Sequence, residues 1–464
     1  MADLAAFSSP PPSDDSPNQG PWYREMKGYH WFVLGVAALG WLFDCLDQQL
    51  FILARQPAMA ELLTTADGSP VAKATIDAYA GYATSIFLIG WATGGLFFGV
   101  LGDRIGRAKT MMITILMYSF CTGLSALSTC FLDFAFYRFL TGLGVGGEFA
   151  VGVALVAEVM PGRARPYTLS LLQALSAVGN ISAAFIAMYM GSLVQQGVIT
   201  STWRPMFVVG ALPALLALVI RYRLKEPEQW EQAQHDETVT KELGSYRALF
   251  RDPKLRKNAF VGLALAFVGV VGLWAIVFFS MDLLGNIVER TMTEEGAASA
   301  DIKGTVAQWK GVASLCLNLG AAAGMFGFGI LAQYLGRRPA FAIGFIAAGF
   351  TTIGVFQNLQ RPEQAYYMFP IMGFCMLSLF AGYAIYFPEL FPTRLRSTGI
   401  SFCYNVGRFV AAAGPALLGL LTEKVFAAHP EPLRMAGLSM CSIFLLGLLV
   451  LPFAPETKGQ PLPD

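Results

Sequence analysis

Two stretches of the chain, GVLGDRIGRAKT at 99–110 and GILAQYLGRRPA at 329–340, decide its fold. Both fit the pattern G-(I/V)-L-x-(D/Q)-x-(I/L)-G-R-(A/R), and each follows the second long apolar run of its half. AEVMPGRARPYTLS at 157–170 and PELFPTRLRSTGIS at 388–401 repeat in the same way after the fourth run, each with an acid, a proline and two arginines. The chain is therefore an internal duplication.

The composition indicates an integral membrane protein. Of 464 residues, 55% are hydrophobic and only 14% are charged, and the mean hydropathy is +0.53. An ordinary soluble domain has about a quarter of its residues charged. The net charge of +1 gives no reason to expect a nucleic-acid partner. The seven cysteines form no CxxC pair and the three histidines are isolated, so we expect neither a metal nor a cofactor.

Twelve apolar runs reach the length of about 20 residues that a spanning helix needs. The first six lie at roughly 30–53, 77–101, 110–130, 134–158, 167–190 and 203–221. The last six lie at roughly 258–284, 306–333, 339–357, 365–387, 398–421 and 434–454. The predicted fold class is therefore an all-α membrane protein of twelve transmembrane helices in two pseudo-symmetric six-helix bundles.

The predicted organisation places the bundles at 30–221 and 258–454. A charged cytoplasmic linker at 222–257 joins them, between a proline-rich disordered tail at 1–29 and a short tail at 455–464. The first tail lacks the apolar region of a signal peptide. Most of the lysines and arginines fall in one alternating set of loops, so the positive-inside rule puts both termini in the cytoplasm. We expect a multi-pass protein of the cell (inner) membrane.

Several motifs in this order resemble the major facilitator superfamily. GDRIGR after the second run is similar to its loop signature, and RFLTGLGVGGE at 138–148 is similar to its glycine motif in the fourth span. PETKG at 455–459, and more weakly KEPEQW at 225–230, resemble segments of sugar porters and organic-ion transporters. The resemblance covers all twelve runs and implies a secondary transporter with a site between the halves.

Two further segments resemble the metabolite:proton symporters within this superfamily, of the sialate/monocarboxylate and aromatic-acid types. These are WLFDCLDQQLF at 41–51 and CYNVGRFVAAAGP at 403–415, although Leu46 stands where an aromatic residue is common. The resemblance implies a proton-coupled transporter of a small organic acid.

Acids inside the first and fourth runs are the candidate proton-coupling residues: Asp44, Asp47 and Glu148. Asp44 and Asp47 are three residues apart and share one helix face. Ionisable residues within a membrane mostly face the bundle interior or a water-filled cavity. We expect Asp44 to exchange the proton, with Asp47 and Gln48 on the outer side of the site. The alternative is that one acid serves only a local cap or pair.

Arg408 lies near mid-depth in the eleventh run, with Tyr404 and Asn405 beside it. A planar guanidinium is well suited to holding a carboxylate. We expect these three residues to bind substrate. The alternative is that Arg408 forms a permanent ion pair with a buried acid. Further candidates for substrate contact are the polar residues Gln48, Gln173, Asn180 and Asn318. Trp274 could stack on a substrate ring, and lipid contact or packing is its alternative role.

The loop residues have a different role by resemblance to the superfamily, in which such residues form a cytoplasmic gate. In the first half these are Asp103, Arg104, Arg107, Glu158 and Arg163. In the second half they are Arg337, Glu389 and Arg394, with Gln333 at the position of the first acid. We expect the second set to form the weaker lock, because it lacks that charge.

The leading functional hypothesis is proton-coupled transport of a small organic anion, with protons and the lipid bilayer as the other partners and a monomer as the working unit. One alternative is a uniporter or symporter for a neutral sugar-like solute, which PETKG favours, and another is an organic-cation transporter. A sensor or an enzyme is disfavoured, because the chain has no large cytoplasmic domain and no recognisable nucleophile–base pair.

Overall fold

The structure is a computed structural model that describes residues 20–63, 71–236, 240–296, 299–411 and 421–463. All regular elements in these ranges are helices. The expected disordered tail falls mostly on 1–19, outside the described residues.

The helices follow the repeated pattern of the sequence. Those before the linker are α1 Gly28–Leu62, α2 Lys73–Ile105, α3 Arg107–Ser125, α4 Phe131–Val159, α5 Arg165–Gln195, α6 Trp203–Gly210 and α7 Ala214–Arg223. The linker holds α8 Glu228–His235 and α9 Tyr246–Arg251. Then come α10 Pro253–Val271, α11 Phe278–Glu294, α12 Ser299–Leu335, α13 Arg337–Asn358, α14 Ala365–Leu390, α15 Arg396–Ala411, α16 Pro432–Met440 and α17 Ile443–Val450.

Eight helical segments of the described chain are long and apolar enough to cross a membrane. They contain α1, α2, α4, α5, α12, α13, α14 and the α16–α17 pair. The expected run at 203–221 is instead two short helices, broken beside Pro213, which has no N–H to donate. The run at 258–284 is interrupted by a π-helical turn at Gly272–Val277. Part of the eleventh run, 412–420, lies outside the described residues.

The repeated GR motif makes the same turn in both halves. Gly106 ends α2 with a φ of 109°, and Gly336 ends α12 with a φ of 99°. A side chain at either position would be strained, so glycine lets the next helix start at once with Arg107 or Arg337. The two arginines are thereby fixed at equivalent places, where both are buried.

The helices form two groups, α1–α7 and α10–α17, which meet where α2 packs on α15 and α5 packs on α12. The contacts depend on small residues. A Cβ at Gly99 would overlap Ser401, and a Cβ at Gly329 would overlap Ser170. We call the end of the bundle that carries the linker and residues 455–463 the linker face, and the opposite end the far face.

Candidate functional site

A cavity of about 330 Å³ lies between the two helix groups. It is lined by residues of α1, α2, α5, α11, α12, α14, α15 and the π-turn. The predicted substrate residues on its wall are Gln48, Gln173, Asn180, Asn318, Tyr404 and Arg408. Asn405 lies behind the wall, and the side chain of Trp274 is outside the described part of the structure. Asn180 and Asn318 join the two groups through a 3.0 Å hydrogen bond.

Arg408 lies on the floor of this cavity and is 5% exposed. Its Nη1 donates to Oδ1 of Asn405 at 2.6 Å, because Asn405 is one turn earlier on α15. The guanidinium is 4.2 Å from the ring centroid of Trp91 and 4.3 Å from that of Tyr404. It forms no ion pair with a described residue. The cation is therefore oriented by aromatic rings and an amide, with its charge unneutralised by a neighbouring carboxylate.

Some buried polar atoms of cavity residues have no hydrogen-bond partner among the described residues, and three of these bear on the proposed ligand. They are Nε of Arg408, Nε1 of Trp41 and Oε1 of Gln173. A buried polar group without a partner is unfavourable in an apolar setting. The two nitrogen donors suit a carboxylate, and the amide oxygen of Gln173 suits a hydrogen-bond donor elsewhere on the same molecule.

The aromatic part of the cavity wall was missed by sequence reasoning. It consists of Trp41, Trp91, Phe380 and Tyr404, of which only Tyr404 was expected. The signal for Trp91 was a tryptophan within a glycine-rich run, IGWATGGLFFG at 89–99. Flat rings on several sides favour a flat apolar body in the bound molecule.

A second cation, Lys310, lines the cavity nearer the far face and also escaped sequence reasoning. Its Nζ is 2.8 Å from Oδ1 of Asp282, and both side chains are partly exposed. At 1.5 Å per residue, Lys310 lies about 38 Å from the linker-face end of α12, and Arg408 about 18 Å from that of α15. The cavity thus carries one exposed ion pair near its mouth and a buried cation at its floor.

The acids Asp44 and Glu148 lie beside the cavity, inside the first helix group. Both are 1% exposed, and neither carboxylate has a described hydrogen-bond partner. Oε1 of Glu148 fills the space that a Cβ at Gly40 would need, one turn before Asp44. Asp44 and Glu148 therefore belong to one buried acidic pair.

Asp47 has a different environment from its neighbour Gln48. Its Oδ1 accepts a 2.7 Å hydrogen bond from Thr122, and its Oδ2 is 3.9 Å from Nη1 of Arg138. Arg138 donates to Ser125 at 2.6 Å. Successive residues of a helix point about 100° apart, so Gln48 reaches the cavity while Asp47 faces the interior of its own helix group.

A buried ionic network closes the linker face between the two groups. Asp103 accepts from the backbone N–H of Ser397 at 3.1 Å and of Thr398 at 2.8 Å, at the start of α15. It also pairs with Arg107 at 3.1 Å. Arg107 holds both oxygens of Glu158 at 2.9 and 3.0 Å.

Arg396 completes this network from the second half, and sequence reasoning did not select it. Its Nη1 donates to Oε1 of Glu158 at 2.6 Å, and its Nη2 donates to the carbonyl of Pro463 at 2.7 Å. The available signal was its place in the repeated arginine pair at 388–401. Glu158 is thus shared by arginines from both helix groups.

The other expected gate residues hold the outer layer of the linker face. Arg104 donates to the carbonyl of Leu243 at 3.2 Å. Arg394 pairs with Glu242 at 3.1 Å, and Arg163 pairs with Glu25 at 3.4 Å. These contacts are partly exposed, so each adds less stability than a buried pair of good geometry.

In the second half, Arg337 holds both oxygens of Glu389 at 2.6 and 3.0 Å. Thr457 of the PETKG segment donates to Glu389 at 2.6 Å. This cluster lies within one helix group, whereas Glu158 joins both. The two halves therefore share the arginine–glutamate pair, and only the first uses it to bridge the groups.

Two glutamates cap equivalent helices at the linker face. Glu226 accepts from the N–H groups of Ala108 and Lys109, and Glu456 accepts from those of Arg337 and Arg338. Burial raises the pKa of Glu226 in spite of these bonds. Burial also opposes ionisation of Glu456, but its backbone hydrogen bonds prevail and lower its pKa. KEPEQW and PETKG thus perform the same capping task in the two halves.

Comparison with known proteins agrees with this architecture. The chain is 30% identical to a putative metabolite transport protein of Haemophilus influenzae, over 95% of this chain and 99% of the relative. It is 31% identical to the cis,cis-muconate transport protein of Acinetobacter baylyi, over 74% of this chain and 78% of the relative. The solved structure of the proton:xylose symporter XylE bound to 6-bromo-6-deoxy-D-glucose matches with a TM-score of 0.68 and 18% identity, over 94% of this chain and 98% of that chain.

The family assignment rests on a match to a sequence profile that represents the family, and not only on single relatives. Residues 37–299 fit the profile of the Major Facilitator Superfamily. The fold, the repeated linker-face motifs and the central cavity are consistent with that match. The chain belongs to the Major Facilitator Superfamily, and it is an integral membrane transporter and not an enzyme.

Proposed function

We propose that the protein moves a small organic anion across the membrane together with protons, by alternating access. The observation that carries this proposal is Arg408, a buried cavity cation that forms no ion pair with a described residue. A lone arginine at this depth is unfavourable unless an anion joins it. A carboxylate between the donors of Arg408 and Trp41 would satisfy both.

The aromatic wall narrows the proposed substrate to a carboxylate with a flat, unsaturated or aromatic body. The rings of Trp91 and Tyr404 already hold the guanidinium of Arg408. A relative carries the name of a cis,cis-muconate transporter, which supports an organic acid. A neutral sugar is disfavoured because it cannot neutralise Arg408. An organic cation is disfavoured because Arg408 would repel it.

The PETKG segment gives no independent support to sugar transport. Glu456 of this segment caps α13, and Thr457 holds Glu389. Both contacts stabilise the linker face and lie away from the cavity. The segment therefore serves the fold of the second half whatever the substrate is.

We further propose that twelve spans form two six-helix bundles, 30–221 and 258–454, which rock about the cavity as a monomer. The positive-inside rule would put the linker face in the cytoplasm of the inner membrane. The buried network around Glu158 would then hold the cytoplasmic side closed in the state described. Asp103, Arg107 and Arg396 would have to part before substrate leaves on that side.

For proton coupling, we propose that Asp44 and Glu148 share a proton. Two unpaired carboxylates in an apolar interior repel each other, and a bound proton removes that repulsion. Asp47 would respond more weakly, because Arg138 and Thr122 stabilise its charge. Arg408 is close enough to act electrostatically on Asp44, so anion binding would change the affinity of the acidic pair for its proton.

The test is uptake of a panel of flat carboxylates into proteoliposomes, with and without an inward proton gradient. Asp44→Asn should abolish gradient-driven accumulation, because the amide cannot exchange a proton. It should preserve exchange of external for internal anion, which needs no proton release. Glu289→Gln, at an exposed position in the second helix group, is the control and should behave like the unmodified protein. Uptake that ignores the gradient, or an Asp44→Asn variant that still accumulates substrate, would exclude proton coupling through this acid.

A further inference from the structure

The interior of the first helix group contains many polar atoms that do not line the substrate cavity. The fully buried ones without a described hydrogen-bond partner include Asp44 Oδ1 and Oδ2, Asp47 Oδ2, Tyr118 OH, Ser119 Oγ, Arg138 Nη1, Thr141 Oγ1 and both oxygens of Glu148. They lie on three neighbouring helices, α1, α3 and α4. None of these residues lines the substrate cavity.

These atoms form three tiers along the helix axes. The lower tier is the level of Gly40 on α1, where the side chains of Glu148 and Ile115 lie against this glycine. The upper tier is set by Asp47, which contacts Thr122 and Arg138. On α4 the tiers are ten residues apart, or about 15 Å.

Tyr118 occupies the middle tier. On α3 it lies three residues after Ile115 and four before Thr122. It packs opposite Gly144, which is four residues before Glu148 on α4; a Cβ there would lie 2.9 Å from that of Tyr118. Tyr118 is 0% exposed, and Asp44, Asp47 and Glu148 all act electrostatically on its hydroxyl. Its hydroxyl, next to that of Ser119, is therefore a polar group between the two acidic sites.

Buried polar groups of this kind are ordinarily satisfied by internal water when the site is polar and roomy enough. In a bilayer this need is stronger, because lipid offers no hydrogen bonds. A phenol is left unchanged when it gives its own proton to a carboxylate on one side and receives another, through water, from a protonated carboxyl group on the other, which becomes a carboxylate.

We propose that Tyr118 relays protons between the Asp47–Arg138 pair and the Asp44–Glu148 pair through water inside the first helix group, on a path separate from the substrate cavity. The relay rests on the proposed proton coupling. It assigns the far-face end of the path to Asp47 and its storage end to Asp44 and Glu148. The charged groups that act on Tyr118 are these three acids, and Arg138 lies beside Asp47.

The test compares Tyr118→Phe with Tyr383→Phe in proteoliposomes. Tyr383 is a matched control, because its hydroxyl is equally buried and has no described hydrogen-bond partner, but it lies on α14 in the other helix group. Tyr118→Phe removes only the hydroxyl and keeps the close approach of the Tyr118 Cβ to Gly144. Gradient-driven uptake should fall at least about tenfold, since a positioned proton-transfer group commonly contributes more than that. Anion exchange without a gradient should be preserved, and slowing of uptake in D2O should exceed that of the unmodified protein.

A second variant, Thr141→Val, keeps the shape of a buried side chain in the upper tier while removing an unpartnered hydroxyl. It should slow gradient-driven uptake in the same direction, and it decides the matter if Tyr118→Phe does not fold. The relay would be overturned if Tyr118→Phe and Tyr383→Phe showed equal gradient-driven uptake. It would also be overturned if Tyr118→Phe did not fold and Thr141→Val showed full uptake. Either result would leave proton coupling through Asp44 standing. Absence of gradient dependence in the unmodified protein would overturn both.

Discussion

Replacing Arg408 by glutamine is expected to weaken binding of the organic anion at least about thirtyfold, because truncating one partner of a buried charge pair commonly costs 2–5 kcal/mol. Arg408 is 5% exposed, and it lines the cavity with Tyr404 and Trp41. The neutral amide of glutamine would offer neither the charge nor the forked donors. The measurement is ligand-induced stabilisation of the purified protein, which rises with the logarithm of ligand concentration over Kd.

Arg408→Lys is the informative companion variant. It keeps the positive charge but loses the planar group that stacks on Trp91 and Tyr404. We expect intermediate affinity and a weaker preference for flat carboxylates over branched ones. Arg204→Gln, which removes a partly exposed arginine paired with Glu61, serves as a charge-matched control and should bind normally. Unchanged affinity in Arg408→Gln would show that the anion binds elsewhere.

The second large effect is expected for Glu158→Gln. Glu158 accepts hydrogen bonds from Arg107 and from Arg396, which belong to different helix groups. Neutralising it removes the carboxylate that these two buried arginines share. Breaking a buried pair in this way costs ~3–5 kcal/mol. Here the loss destabilises the state in which the linker face is closed. We therefore expect the linker face to open and the melting temperature to fall.

The opening can be measured by the reactivity of a cysteine introduced by Ser401→Cys, in a background without the seven native cysteines. Ser401 faces Gly99 across the contact between α2 and α15. The reactivity should rise with Glu158→Gln. Glu389→Gln is the matched control, since Glu389 holds Arg337 within one group and does not bridge the two. Both variants should lose stability, but only the first should expose position 401. Equal reactivity in the two would refute the assignment of Glu158 as the bridge.

Much of the fold follows from the sequence, because a bilayer restricts the possibilities. Apolar runs of about 20 residues in this setting must be helices, since lipid satisfies no backbone groups. The repeated motif marked equivalent places in the two halves, and there Gly106 and Gly336 both have positive φ. The breaks at Pro213 and at Gly272–Val277 were not anticipated, because mean apolarity is insensitive to local hydrogen bonding.

The candidate site was only partly accessible to sequence reasoning. Arg408 and the acids were found because charge in an apolar run is rare. Trp41 and Trp91 were missed, because an aromatic residue in such a run is usually a packing or lipid-facing residue. Arg163 was expected in the gate, and the structure places it against Glu25, while Arg396 takes the buried place beside Glu158.

The different surroundings of Asp47 and Gln48 show what the sequence alone leaves undecided. Sequence by itself determined that this stretch is a helix inside a membrane bundle and that its acids need a reason to be there. It could not determine which face of α1 meets the second helix group, because that depends on residues more than 200 positions away. Only the tertiary structure decided that Gln48 reaches the cavity while Asp47 turns toward Arg138. Charge, hydropathy and repeats are properties of the chain, whereas the pairing of buried charges depends on how helices distant in sequence are packed.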